Sequence, residues 1–147
     1  MEEIALKLSN DSDATIFLET LNSSIRKVAA KHYSTDVIDS WAVSIDEKSL
    51  SQFIENPEQE IRILAYLGDD VAGIGSTVLS NCELRACYVT PSGLRRGVGT
   101  AIAKELERIA QAEGLGHLQL HATTIAEPFY RALGYSTIEP VEHITRG

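Results

Sequence analysis

The sequence predicts an α/β fold of mixed α+β character, with all 147 residues in a single domain (1–147). Three observations carry that expectation. Strand-like alternation and helix-like periodicity take turns along the chain, with no repeat or low-complexity tract between them. Two apolar runs, 61–67 and 71–79, flank Gly68-Asp69-Asp70, which is a hairpin signal. A Gly-X-Gly turn, Gly97-Val98-Gly99, joins an alternating strand to an amphipathic helix. A chain of this length buries about two thirds of its unfolded surface, enough for one core without covalent staples.

The elements follow in order. Ile4, Leu6 and Leu8 alternate as a strand, and Asn10-Asp11-Ser12-Asp13 supplies capping and acidic first-turn residues. Phe17, Leu21, Ile25 and Val28 recur at helical spacing, which predicts an amphipathic helix over 13–31. A second helix is expected over 35–41, and a third over 49–55, stopped by Asn56-Pro57. After the hairpin, 83–90 is a further strand. The helix over 100–112 sets Ile102, Leu106 and Ile109 on one face and ends at Gly114-Leu115-Gly116. Residues 117–122 read as a strand, and Thr124-x-x-Glu127 as a capping box opening a last helix, whose early position accommodates Pro128.

Composition narrows the function classes. A net charge of −8 argues against nucleic acid and favours, through steering, a cationic or amine-bearing acceptor; it serves solubility equally well. The two cysteines, Cys82 and Cys87, sit too close along one strand to bridge easily and belong to no metal-ligand spacing, so a reducing compartment and no metal are expected. The amino terminus lacks an apolar segment of signal-peptide length, and no later stretch could span a bilayer. A cytoplasmic protein with no membrane partner is the expectation.

The chemistry concentrates at Leu94-Arg95-Arg96-Gly97-Val98-Gly99-Thr100. Glycines spaced by one residue remove the Cβ atoms that would hold an anion off the backbone. The helix behind them offers unpartnered first-turn amides and roughly +0.5 charge of macrodipole, and Arg95 and Arg96 add full charges. Neither a Walker A motif nor the dinucleotide fingerprint fits. Downstream lies Ala126-Glu127-Pro128-Phe129-Tyr130-Arg131-Ala132-Leu133-Gly134-Tyr135.

Together with Val89-Thr90-Pro91-Ser92-Gly93-Leu94-Arg95-Arg96-Gly97-Val98-Gly99, that segment resembles the GCN5-related N-acetyltransferase (GNAT) superfamily in both motif order and spacing. The resemblance is firm from Val71 to Tyr135 and looser before it. It implies a mixed, mostly antiparallel sheet that splays after its fourth strand, flanked by helices. It also implies acetyl-CoA as co-substrate and a primary amine as acceptor. Carried over, the pantetheine arm would lie along Cys87, Tyr88 and Val89, and the diphosphate on the amides of Leu94, Arg95, Arg96, Gly97, Val98, Gly99 and Thr100. Tyr130 matches the tyrosine whose hydroxyl approaches the cofactor sulfur, and a phenol can protonate a departing thiolate.

Glu83 takes the position of the glutamate that deprotonates the amine in the histone-acetyltransferase branch. Ideal alternation puts it on one strand face with Arg85, Cys87 and Val89. An ion pair with Arg85 is the competing reading of Glu83, and His121 or a water chain are the rival bases. Cys87 reads as a small buried residue rather than a nucleophile. The junction of the first two helices lines the acceptor pocket in similar proteins, which makes Tyr33 and Trp41 acceptor candidates with core packing as the competing role, the stronger one for Trp41; His121 is a further substrate candidate and His32 polar surface.

Three departures stand out. Leu94 replaces the usual polar residue at the cradle's first position, and Thr123 stands where many relatives carry asparagine. Residues 146–147 fall about where the family's final strand begins. That strand lies outside this chain, or a second copy covers the open edge as a homodimer, or the fold closes differently. The expected activity is acetyl-CoA-dependent N-acetylation of a small amine. A peptide or protein amine, and a non-catalytic acyl-CoA sensor, are the alternatives.

Overall fold

The computed structural model describes residues 3–27, 33–42, 44–120, 122 and 126–136. In order, the elements are β1 (Ile4–Leu8), α1 (Ala14–Lys27), α2 (Thr35–Trp41), α3 (Glu47–Glu55), β2 (Ile61–Leu67), β3 (Asp70–Val78), β4 (Glu83–Val89), α4 (Val98–Ala112) and α5 (Glu127–Ala132). The four strands form one sheet in the order β1-β2-β3-β4, with every neighbouring pair antiparallel. The mixed α/β class and the hairpin at 68–70 are as the pattern predicts.

Helix starts are set by side-chain caps that periodicity alone misses. Asn10 accepts from the Ser12 N–H while the Asp13 carboxylate accepts from the Asn10 N–H, which turns the chain into α1. Asp46 and Ser49 make the same reciprocal pair, so α3 begins at Glu47, two residues before the expected start. It ends at Asn56 in the left-handed region, φ 45°. The expected capping box of α5 does not form as drawn: Glu127 is already helical, Ala126 is the cap residue without a side-chain bond, and Thr124 lies outside the described residues.

Alternation along the strands feeds two apolar layers. On one face α1 and α3 bury Phe17, Leu21, Ile25 and Phe53 against Leu64, Ile74 and Ala86, with the Phe17 and Phe53 rings 5.3 Å apart. On the other, Val98, Ile102 and Leu106 of α4 and Tyr130 of α5 cover Ile63, Ala65 and Leu84. Each fully buried Leu or Ile contributes about 1.5–3 kcal/mol. α4 lies hard against β3 because Gly73 and Gly75 face it. A Cβ on Gly73 would sit 2.8 Å from Ile102 Cδ1, and one on Gly75 would meet Leu106 Cδ1 at 3.2 Å. These glycines bring the N-terminus of α4 down to the end of β4.

The strand expected over 117–122 is reduced, among the described residues, to one parallel bridge between Gln119 and Glu83. Gln119 donates to the Cys82 carbonyl (2.7 Å), and Leu84 donates to the Gln119 carbonyl (2.9 Å). Past that point the outer edge of β4 carries no described partner strand.

Candidate active site

The open edge of β4 owes its chemistry to a bulge. Ser76 lies opposite Ala86 and Thr77 opposite Leu84, so Arg85 has no partner in the ladder. Downstream, the Thr90 N–H donates to the Ala72 carbonyl at 2.8 Å. The Tyr88 and Ala86 carbonyls lie 2.8 and 3.3 Å from where Cβ atoms on Gly73 and Gly75 would be. Both carbonyls therefore point into β3, and alternation turns the N–H and C=O of Cys87 and Val89 outward. Upstream, Leu84 is the outward residue. One inserted residue thus shifts the outward set from even to odd positions.

Two expectations change as a result. Tyr88 spends its backbone groups on β3, so of the three residues expected along the pantetheine arm only Cys87 and Val89 offer free edge groups. Glu83, Arg85, Cys87 and Val89 do not share a face. Cys87 and Val89 pack with Leu84 on the α4 side, Ala86 and Tyr88 on the α1 side. Glu83 and Arg85, flanking Leu84, point away from it.

At the end of this edge, Pro91–Gly93 forms a 3₁₀ turn, and Arg95 (φ 62°) and Gly97 (φ 81°) turn the chain through the left-handed region into α4. Gly97 caps α4 without a side-chain acceptor. The first-turn N–H groups of Val98, Gly99 and Thr100 thus have no capping side chain, which is the arrangement an anion requires. Leu94, Arg95 and Arg96 are exposed beside them. Gly99 also has a packing constraint: a Cβ there would meet Phe129 Cζ at 3.2 Å and Val89 Cγ2 at 3.4 Å. Its smallness lets α5 close on the cradle.

That closure delivers Tyr130. Its ring, 9% exposed, packs edge-on against Phe129 (5.0 Å) and Tyr135 (5.7 Å). Its hydroxyl neighbours the Cys87 thiol, which itself donates to the Gly99 carbonyl at 3.6 Å. Burial raises the tyrosine's pKa well above the usual phenol range, the neighbouring Cys87, Tyr88 and Tyr135 adding to it. Burial likewise pushes the Cys87 thiol up to about 12, although the Tyr130 hydrogen bond pulls the other way. Both shifts favour the protonated forms at neutral pH, and the Cys87 side chain packs against the α4-side core.

Glu83 is differently placed. Arg85 grips it through Nε (3.0 Å) and Nη2 (2.8 Å), and holds Glu58 through Nη1 (3.0 Å) and Nη2 (3.1 Å). The Arg85 hydrogen bonds hold the Glu83 carboxyl below the usual carboxylate range against its partial burial. An ionised carboxylate so occupied is a weak base.

Of the other candidates, Tyr33 packs, partly buried, against the α1-side core. Trp41 closes α2. His121, Thr123 and His32 lie outside the described residues. Residues that pattern reading passed over are Gly73 and Gly75, and the fully buried polar pair Ser76 and Thr77 at the bulge. Two glycines one residue apart inside an apolar strand were the available signal for a close helix. A separate groove of about 670 Å³, lined by residues such as Glu107, His117 and Tyr135, lies toward the C-terminal half of α4. Among the described residues no cluster of three or more His, Cys, Asp or Glu could hold a metal ion. No described helix is long and apolar enough to cross a membrane.

A family model described as an acetyltransferase (GNAT) domain matches residues 29–144. Among solved structures, a GCN5-related N-acetyltransferase from Rhodopseudomonas palustris is similar at 25% identity and TM-score 0.83, over 95% of this chain and 86% of that one. The PaiA N-acetyltransferase of Thermoplasma acidophilum, in complex with coenzyme A, is similar at 19% identity and TM-score 0.80, over 96% and 94%. An aminoglycoside acetyltransferase from an uncultured soil metagenomic sample, in complex with sisomicin, shares the fold at 15% identity and TM-score 0.67, over 96% and 93%.

Proposed function

Because this chain belongs to the GNAT family of acetyltransferases, whose reaction is acetyl-CoA-dependent acetylation, we propose that residues 1–147 form one domain that acetylates the primary amine of a small molecule. The observation that carries the site assignment is the continuity of three features: the open Cys87 and Val89 edge, the uncapped N-terminus of α4, and the Tyr130 hydroxyl beside that edge. Bound acetyl-CoA supplies an activated thioester. The Val98, Gly99 and Thr100 amides, with the helix dipole, hold its diphosphate, and Arg95 and Arg96 add screening charge. Leu94 contributes backbone alone. The outward N–H and C=O groups of Cys87 and Val89 pair with the pantetheine amides as a strand would, and an outward N–H stabilises the developing oxyanion. Tyr130 donates its proton to the departing sulfur. Thr123 takes the place of the asparagine that many relatives carry.

The amine loses its proton to solvent in this reading, since Arg85 depresses the basicity of Glu83. Glu83 and His121 are the groups whose replacement tests that route. Tyr33 and Trp41 are assigned to the acceptor side with the helices that carry them. The acidic net charge favours a cationic acceptor. Peptide amines and a silent acyl-CoA sensor remain the competing readings, the cytoplasm is the proposed compartment, and a homodimer the proposed assembly. Free-thiol release from acetyl-CoA with a panel of small amines, acetylatable peptides and no acceptor separates them. Turnover with peptides alone would displace the small-amine reading, and binding without turnover would leave a sensor.

A further inference from the structure

The bulge in β4 is held by a polar scaffold that neither the cradle nor the reaction uses. Ser76 and Thr77, opposite the bulge, are fully buried. The Thr77 hydroxyl donates to the Glu83 carbonyl (2.7 Å), satisfying an acceptor beside the break in the ladder. The Ser76 hydroxyl donates to Glu60. Glu60 also pairs with Arg62 (2.8 Å), whose guanidinium lies 3.6 Å over the Phe53 ring. Arg85 itself, the inserted residue, reaches out of the ladder to Glu58.

Glu58 and Glu60 belong to one tight segment between α3 and β2. Asn56 and Gln59 both take positive φ (45° and 54°) there. The Asn56 side chain closes the segment, accepting from the Glu60 N–H (2.8 Å) and donating to the Glu60 carbonyl (2.9 Å). Two carboxylates from one rigid turn therefore pin the bulge from both strands, Glu60 through Ser76 of β3 and Glu58 through Arg85 of β4. A bulge costs ladder hydrogen bonds and persists only where its surroundings specify it. The same bulge decides which backbone groups β4 shows to its open edge.

We infer that Arg85, anchored by Glu58, is a positioning residue that locks the register of the acyl-donor edge, so that Cys87 and Val89 rather than Tyr88 present their N–H and C=O groups to pantetheine. It acts through the backbone and touches no reacting atom. The inference rests on the reading of that edge as the pantetheine site, and it separates binding of the two halves of the co-substrate. The nucleotide half reaches only the cradle, which the clamp does not touch. The pantetheine half needs the edge in phase.

Calorimetric affinities for acetyl-CoA and for 3′-phosphoadenosine 5′-diphosphate test it on the whole chain. Arg85→Gln should weaken acetyl-CoA about tenfold or more, the loss expected from two misplaced edge hydrogen bonds, while the nucleotide stays within about twofold. Glu58→Gln, altering a half-exposed side chain that leaves the core intact, should move acetyl-CoA affinity in the same direction by less. Arg85→Lys should recover part of it. Gly97→Asp is the reference and should weaken both ligands. Should Gly97→Asp leave both unchanged, the cradle assignment itself fails. If it weakens both while Arg85→Gln and Glu58→Gln leave acetyl-CoA untouched, or lower the two affinities equally, the site stands and the clamp is overturned.

Discussion

Replacing Tyr130 with Phe removes one oxygen and little else. The ring contacts with Phe129 and Tyr135, at 5.0 and 5.7 Å, do not involve the hydroxyl, and what is lost is at most one polar interaction with the neighbouring Cys87 thiol. A neutral hydrogen bond contributes about 0.5–1.5 kcal/mol, so the melting temperature should fall by no more than a few degrees in a chain of this size. The kinetic cost should be larger. A general acid is worth about 10²–10⁴ in rate when its pKa suits its task. Here the phenol is raised by burial, above a leaving thiol that ordinarily titrates near about 8.5, so full proton transfer is uphill and the gain belongs toward the lower end. We expect kcat to fall about tenfold to thousandfold, which corresponds to about 1.4–4 kcal/mol. The dissociation constant for acetyl-CoA should stay within about threefold, because the cradle and edge are untouched. The raised pKa also fixes a sign: the protonated phenol persists as pH rises, so the parent should lose no activity through Tyr130 below about pH 10. Thiol release at saturating amine, with calorimetry for binding, makes the measurement. Equal kcat in variant and parent, or a fall in binding that accounts for the whole loss, would reduce Tyr130 to a packing residue.

Gly97→Asp should abolish measurable acetyl-CoA binding, whereas Gly97→Asn, equally at home at φ 81°, should weaken it modestly; similar affinities in the pair would show that charge at the cradle does not matter. Glu83→Gln should leave the acidic limb of kcat/KM in place if solvent takes the amine's proton; a limb that vanishes there returns the base role to Glu83, and one that moves only in His121→Ala assigns it to His121. The Glu83 carboxyl is held below its ordinary value of 4.5, so its stabilisation is complete above that pH and is lost as pH falls through the lower folded value; Arg85→Gln should flatten this acid loss in melts between about pH 5 and 3. Gly75→Val should destabilise by about 1–3 kcal/mol through overpacking against Leu106 and Ile102, and an unchanged melting temperature would refute the close approach of α4 to β3.

The helices and strands were legible because each carries a period of its own. Phe17, Leu21 and Ile25 announce α1, and Ile102 and Leu106 announce α4, since burial on one helical face leaves a mark every three or four residues. Caps were half legible: the Asn10 and Asp13 pair was visible before α1, whereas Asp46 with Ser49 hid inside a polar stretch. The glycine spacing marked the turn into α4, where Gly97 takes φ 81°, but not what Gly99 packs against. Which neighbour a missing Cβ admits, an anion or the Phe129 ring, depends on where α5 returns, and that is a tertiary fact.

The bulge is the sharper case, because it changed chemistry and not merely geometry. Glu83-Leu84-Arg85-Ala86-Cys87-Tyr88-Val89 reads as one seven-residue strand, and ideal alternation of its side chains sets Glu83 on the face of Cys87. One unpartnered residue reverses the phase, separates the carboxylate from the Cys87 side chain, and hands it to Arg85. Nothing in the order of those seven residues marks the break before the sheet is assembled. The contacts beside it run from Thr77 to the Glu83 carbonyl, from Ser76 to Glu60, and from Arg85 to Glu58 in a turn 27 positions away, each an ordinary polar residue until the sheet is assembled. A carboxylate proposed as a base from strand position alone therefore inherits the risk of a single slipped residue. Arg85→Gln puts that dependence to direct use: if the clamp is what lowers Glu83, releasing it should raise the carboxyl back toward its ordinary value, measurable by side-chain NMR titration. A Glu83 pKa unmoved by that substitution would mean that its environment, not its partner, sets its basicity.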